Sequence, residues 1–170
     1  MKKNAYKNGF TLIETLIYLA LYMIIVFGAV SGVYTIFESN ARNQTSAMVE
    51  EEGAFMIGKI DWALADAQSV SIPAAGTTNS QLTVMRYDGK SVIIALSGTN
   101  VTIQDQEGTN ALEQLNNTNI TISNLVFSHT TASQNGISPE SIKASFAVSA
   151  KTAQGQAFTR DFSTLKYLRK

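Results

Sequence analysis

The chain of 170 residues carries 13 basic and 13 acidic side chains and contains no cysteine. The balanced charge offers no electrostatic basis for nucleic-acid binding, and the lack of cysteine excludes disulfide bonds and thiolate chemistry. Hydrophobic residues make up 45% of the sequence, but they are concentrated near the amino end. This asymmetry predicts a membrane anchor followed by a single polar head domain.

The first predicted element is a long apolar helix. From Thr15 to Phe37 the sequence has no charged residue and is apolar almost throughout. A helix over residues 10–37 would extend about 42 Å at ~1.5 Å per residue, which is enough to cross a bilayer. The alternative is a removable secretory signal cut near residues 29–31, but the apolar run is much longer than the about 7–15 residues of such signals.

The basic residues before this helix predict its orientation. Lys2, Lys3 and Lys7 precede the apolar segment, and positive residues favour the cytoplasmic side of a membrane. We therefore expect a single-pass protein of the cytoplasmic membrane, with its amino terminus in the cytoplasm and its head outside. A plain anchor leaves Glu14 unexplained, because a carboxylate within an apolar segment is costly and is usually functional.

The residues around Glu14 match a processing motif. The run Gly9-Phe10-Thr11-Leu12-Ile13-Glu14, with a short basic leader before it and the apolar helix after it, closely resembles the cleavage and methylation motif of type IV pilins and type II secretion pseudopilins. The resemblance implies that a prepilin peptidase removes the leader, residues 1–9, by cutting between Gly9 and Phe10, and then methylates the new amino group of Phe10. It also implies a passage from the bacterial inner membrane into a cell-surface or periplasmic filament, with other pilin or pseudopilin subunits as partners and no cofactor.

Glu14 is the predicted assembly residue. Cleavage would create an α-amino group at Phe10, and such groups carry a positive charge at neutral pH. In a filament, the Phe10 amino group of one subunit would pair with Glu14 of a neighbour, because two charges that are costly to bury alone become tolerable as a pair. The pair would also set the axial register between subunits, as a buried polar residue does in a coiled coil. The simpler alternative is that Glu14 reaches the membrane interface from the helix end.

The helix is predicted to continue over residues 38–72 as an amphipathic half that ends before Pro73. Trp62 is expected in the core, and the acidic run at residues 50–52 is expected to be a solvated face, because consecutive helical positions fan apart by about 100°. Apolar residues recur at spacings of three, four and seven, which marks one helix face that the head must cover: Val49, Met56, Ile60, Leu64 and Ala67.

Residues 73–170 are predicted to form an antiparallel β head. Asp88-Gly89 is typical of a tight hairpin turn. The whole chain is therefore predicted to be α+β, a long N-terminal helix packed against an antiparallel sheet, and the order of its elements is similar to that of minor pilins and J-type pseudopilins. Apolar and polar residues alternate, as in half-buried strands, over residues 81–87, 91–96, 101–104, 119–128, 142–150 and 156–168.

The predicted head contains no pattern of an enzyme or a metal site. The sequence has no phosphate loop, zinc spacing or nucleophile elbow, and its single histidine, His129, is expected on the surface. Removal of residues 1–9 would leave ten basic and thirteen acidic side chains, a net charge of −3, which argues further against direct nucleic-acid binding. The favoured function is a non-enzymatic minor pilin or pseudopilin. The alternative is a single-span membrane protein whose β head binds a ligand at the cell surface.

Overall fold

The structure is a computed structural model that describes residues 11–106, 111–132 and 139–168. The chain divides into two compact units at the junction between Arg42 and Asn43. The described part of the first unit is helical. The second unit, called the head below, contains the carboxy-terminal part of the same helix and, within the described ranges, nine β-strands. The fold is α+β, as predicted from the sequence.

The helix α1 covers Leu12–Ala65, and the predicted end at residue 72 is wrong. Residues Ala67–Ile72 form strand β1 instead, which pairs antiparallel with strand β3, Gln81–Arg86. The physical reason lies in the sequence before Pro73. A residue that precedes proline is disfavoured in the helical region, and the β-branched Val70 and Ile72 favour a strand once a partner strand is available.

The first sheet has five antiparallel strands in the order β1-β3-β4-β5-β6. Its further strands are β4 (Ser91–Ser97), β5 (Asn100–Asp105) and β6 (Leu112–Gln114). The predicted turn at Asp88-Gly89 connects β3 to β4, and Gly89 has a φ of 78°, a left-handed conformation that glycine adopts without strain. Strand β6 was not predicted from the sequence.

The second sheet has four antiparallel strands in the order β2-β7-β8-β9. They cover Thr78–Asn79 (β2), Ile120–Thr130 (β7), Ser141–Lys151 (β8) and Ala157–Tyr167 (β9). Strand β7 contains a bulge between Ser123 and Val126, where Asn124 has a positive φ of 55°. The bulge shifts the alternation of buried positions by one residue, because two residues oppose one there. Even-numbered residues are buried before the bulge and odd-numbered residues after it.

One hydrophobic core joins the helix to both sheets of the head. The inner faces of the sheets supply residues such as Val84, Ile94 and Ile122, and the largest fully buried side chain is Phe127. The helix contributes four residues of the predicted apolar stripe: Val49, Met56, Ile60 and Leu64. Ala67, the fifth residue of that stripe, is also buried, but it projects from β1 rather than from the helix.

Candidate functional site

The predicted processing site lies only partly within the described residues. Gly9 and Phe10 are outside them, and the first described residue of the motif is Thr11. Thr11 precedes the first residue of α1, and its hydroxyl oxygen accepts a hydrogen bond from the Glu14 backbone N–H at 3.3 Å. This is the geometry of a helix N-cap, which satisfies one of the free N–H groups of the first turn. The T-x-x-E spacing that signals such a cap was overlooked in the sequence.

Glu14 lies in the first turn of α1, where the helix dipole favours a negative charge. One of its carboxylate oxygens accepts a hydrogen bond from the Tyr18 hydroxyl at 3.3 Å. The carboxylate therefore has a local polar contact one turn along the helix. This contact comes from a neutral donor and brings no opposite charge to Glu14.

The apolar part of α1 is exposed along its whole length within the first unit. Ile13, Phe27 and Phe37 are 68, 78 and 66% exposed, and the large apolar residues between them are exposed as well. By length and composition, α1 qualifies as a candidate membrane span. Soluble proteins rarely expose an apolar surface of this size, so such a surface indicates contact with lipid or with another protein.

Polar contacts fix the carboxy-terminal part of α1 to the rest of the head. Glu50 forms an ion pair with Arg160, and a carboxylate oxygen of Glu52 accepts a hydrogen bond of 2.8 Å from the Asn117 backbone N–H. Both glutamates remain partly exposed, and the predicted acidic face did not include these partners, because Arg160 and the Asn117 N–H come from segments that are distant in sequence. Glu51, between them, is exposed as predicted.

Gly53 allows close contact between α1 and β9. It is buried, and a Cβ atom added to it would overlap the Phe162 ring, which lies directly on the helix backbone. The sequence contained a signal for this contact that we missed. A glycine is unfavourable within a helix, and Gly53 lies between Val49 and Met56 on the apolar stripe, so a packing reason was to be expected there.

Trp62 is not in the core, contrary to the prediction. Its side chain is 42% exposed, and the Arg86 guanidinium lies 5.1 Å from the centroid of a Trp62 ring, within the range of a cation–π contact. Arg86 also forms an ion pair of 3.3 Å with Asp66. The prediction failed because Trp62 borders the buried stripe and faces β3, where Arg86 supplies a charged partner that sequence spacing does not reveal.

His129 is buried rather than on the surface, because the bulge in β7 turns odd-numbered residues inward. Its Nδ1 is 2.8 Å from the Pro73 carbonyl oxygen, and its Nε2 is 2.7 Å from a carboxylate oxygen of Glu140. The ring therefore joins the segment after β1 to the segment before β8. Among the residues that the structure describes, no group of three or more possible metal ligands surrounds it.

The other buried polar groups of the described ranges are also accounted for by structural contacts. Asn116 accepts a hydrogen bond of 2.8 Å from the Val101 N–H and donates one of 2.9 Å to the Ile120 carbonyl. Every buried side-chain nitrogen and oxygen in these ranges has a partner, and the ranges hold no cluster of residues that could bind a metal ion. The notable surface of this part of the chain is therefore the exposed apolar face of α1.

Comparison with known proteins identifies no relative of this chain. No protein-family model matches the chain, and neither a curated protein nor a solved structure shows significant similarity to it.

Proposed function

We propose that the chain is a minor pilin or pseudopilin, a structural subunit of a type IV pilus-like filament. In this proposal a prepilin peptidase cuts between Gly9 and Phe10 and methylates the Phe10 amino group. The precursor is a single-pass protein of the bacterial inner membrane, with its amino terminus in the cytoplasm and its head outside. The processed subunit then joins a cell-surface or periplasmic filament.

The observation that carries the proposal is the position of the motif relative to the apolar helix. The six residues 9–14 lead directly into an uncharged segment, Thr15 to Phe37, whose side chains are exposed throughout. The apolar surface of such a subunit must be covered in two different environments. Lipid covers it before assembly, and neighbouring subunits cover it in the filament.

Glu14 fits the proposal because no positive charge among the described residues contacts its carboxylate. Its hydrogen bond from the Tyr18 hydroxyl is 3.3 Å long and comes from a neutral group. In an apolar environment an ionised carboxylate requires a charged partner. The α-amino group created at Phe10 of a neighbouring subunit would be that partner, and the pairing would set the register between subunits.

The role of the head in this proposal is to cover part of α1 and to present a folded surface outside the membrane. Its contacts are with other pilin or pseudopilin subunits, and we expect neither a cofactor nor direct contact with nucleic acid. The single-span surface protein with a ligand-binding head would share the same fold and anchor. The two functions differ in whether the amino terminus is processed.

Processing provides the test. The full chain is expressed in a bacterial host with a prepilin peptidase or with an inactive variant of that peptidase, and the mass of the membrane-bound product is measured. We expect residues 10–170 with one added methyl group when the peptidase is active, and the uncut chain when it is inactive. Gly9→Leu should block the cut, whereas the neighbouring Asn8→Ala should not. An uncut chain with the active peptidase would favour the single-span surface protein.

A further inference from the structure

The head has a cavity between the carboxy end of α1 and both of its sheets. Its volume is about 360 Å³, at the small end of the range of about 300–1,000 Å³ that is usual for small-ligand pockets. The end of α1, the first residue of β1, the turn after β3 and the end of β9 all contribute to it. We call it the polar cavity, and its lining residues are Leu64, Ala65, Ala67, Tyr87, Lys166 and Tyr167.

Two tyrosines of the polar cavity have exposed side chains. Tyr87 and Tyr167 are 62 and 56% exposed, and neither side chain has a hydrogen bond or a ring contact with another described residue. They come from different sheets, so the fold brings two uncovered aromatic rings to one cavity. Aromatic side chains accompanied by a few polar groups are the usual lining of a small-molecule site.

The polar cavity also has hydrogen-bond acceptors and donors. The last carbonyl groups of a helix have no partner within the helix, and no described backbone N–H donates to the carbonyls of Leu64 and Ala65. The Lys166 ammonium is a donor, and it forms no ion pair with a carboxylate of the described residues. The two tyrosine hydroxyls can both donate and accept. The cavity therefore suits a ligand that donates and accepts several hydrogen bonds.

The charges around the polar cavity are nearly balanced. Asp66, between two lining residues, forms an ion pair of 3.3 Å with Arg86. Asp88, which follows Tyr87, lies 4.0 Å from the Lys90 ammonium. The carboxy end of a helix carries a partial charge of about −0.5, and the last turn of α1 has no basic residue of its own. Because the single charge of Lys166 opposes that partial charge, the cavity favours a neutral ligand.

A neutral sugar residue has the chemistry that these groups require. The C–H groups on one side of a pyranose ring form an apolar face, which packs well against an aromatic ring. Each sugar hydroxyl both donates and accepts hydrogen bonds. A single sugar ring is also of a suitable size for a cavity of about 360 Å³.

We propose that the polar cavity binds one neutral sugar residue of a glycan outside the membrane. A tyrosine ring packs against the sugar ring, and Lys166 and the carbonyls of Leu64 and Ala65 bind its hydroxyls. The inference does not depend on processing at Phe10, because the filament subunit and the single-span surface protein both present the head outside the membrane. Glycans of the bacterial cell wall and of other surfaces share this chemistry, so the probes must distinguish the two sources.

Saturation-transfer NMR on the full chain tests the ligand class, in a polyoxyethylene detergent because this headgroup contains no sugar. The neutral probes are methyl N-acetyl-β-D-glucosaminide, for the cell wall, and methyl β-D-galactopyranoside, for other surfaces. The charged probes are the uronic acid of the galactoside and choline. We expect a neutral probe to bind with a dissociation constant of about 1 mM and the charged probes to bind about tenfold more weakly. The tighter of the two neutral probes identifies the source.

Variants of the lining residues test the site. Tyr87→Ala and Tyr167→Ala should each weaken binding of the neutral probe about tenfold, and Tyr87→Phe should lose less because it keeps the ring. Lys166→Ala should also weaken binding. Lys151→Ala is its matched control, because Lys151 is exposed at the opposite end of the β8–β9 pair and does not line the cavity. An unchanged melting temperature would show that each variant still folds.

The results decide the inference independently of the proposed function. It is wrong if neither neutral probe binds, if choline or the uronic acid binds more tightly, or if both tyrosine-to-alanine variants bind like the natural chain. These results would leave the processing at Phe10 and the filament function unaffected. Binding of a neutral probe that is weakened by the tyrosine variants and not by Lys151→Ala would support the site, whether or not the chain is processed.

Discussion

Replacing Gly53 by alanine should destabilise the head, although the same change stabilises most helices. The added methyl group overlaps the Phe162 ring, and overpacking of this kind costs about 1–3 kcal/mol. The gain in helix propensity returns about 0.5–1 kcal/mol. We therefore expect a net loss of up to about 2.5 kcal/mol in the free energy of unfolding.

Gly58 is the matched control on the same helix. An added Cβ atom has open space around it there, so Gly58→Ala should show only the gain of about 0.5–1 kcal/mol from helix propensity. The double variant Gly53→Ala/Phe162→Leu should recover part of the loss at Gly53, because the two residues are in contact and their effects are not additive.

Urea unfolding of the full chain in a mild non-ionic detergent would measure these changes. The single tryptophan, Trp62, reports on the packing between α1 and β3 through its fluorescence. The slope of the transition should stay constant, so that a shift of the midpoint reports a change in stability. If Gly53→Ala and Gly58→Ala shifted the midpoint in the same direction by the same amount, the close contact between α1 and β9 would be refuted.

Three further predictions concern the core, the buried histidine and the assembly residue. Phe127→Ala should lower the free energy of unfolding in urea by about 3–5 kcal/mol, because it leaves a cavity at a fully buried position. A loss below about 1 kcal/mol would contradict the central place of Phe127 in the core. His129→Ala should lower the free energy of unfolding by about 1–3 kcal/mol, because it removes the partner of the Glu140 carboxylate and of the Pro73 backbone carbonyl. His129→Phe should not restore this stability, and a full recovery would mean that the ring only fills volume. Glu14→Ala should lower incorporation into filaments at least tenfold without preventing membrane insertion, whereas Tyr18→Phe should have little effect. Equal effects of these two variants would mean that the local hydrogen bond matters rather than the register between subunits.

The sequence was sufficient to predict the α+β fold and most of the elements. The apolar segment up to Phe37, the stripe from Val49 to Leu64 and the alternating strands each repeat a period over many residues, so a single exception does not obscure the pattern. The end of α1 could not be placed in this way. Residues 67–72 are compatible with helix or strand, and pairing with β3 decided between them.

The contacts between distant segments explain the remaining errors. His129 is buried because Asn124 forms a bulge and because Pro73 and Glu140 lie beside it. Trp62 is exposed because Arg86 holds it on the surface. Each of these depends on a partner eleven or more residues away or on a local break in a regular strand, and neither leaves a periodic signal in the sequence.

We propose above that the chain is a processed filament subunit. The most direct test of this proposal is to shear filaments from cells that produce the full chain with the complete assembly machinery, and to determine the amino terminus of the chain in the filament fraction. We expect N-methylphenylalanine at position 10 as the first residue. A chain that stays in the membrane fraction with Met1 intact would contradict it.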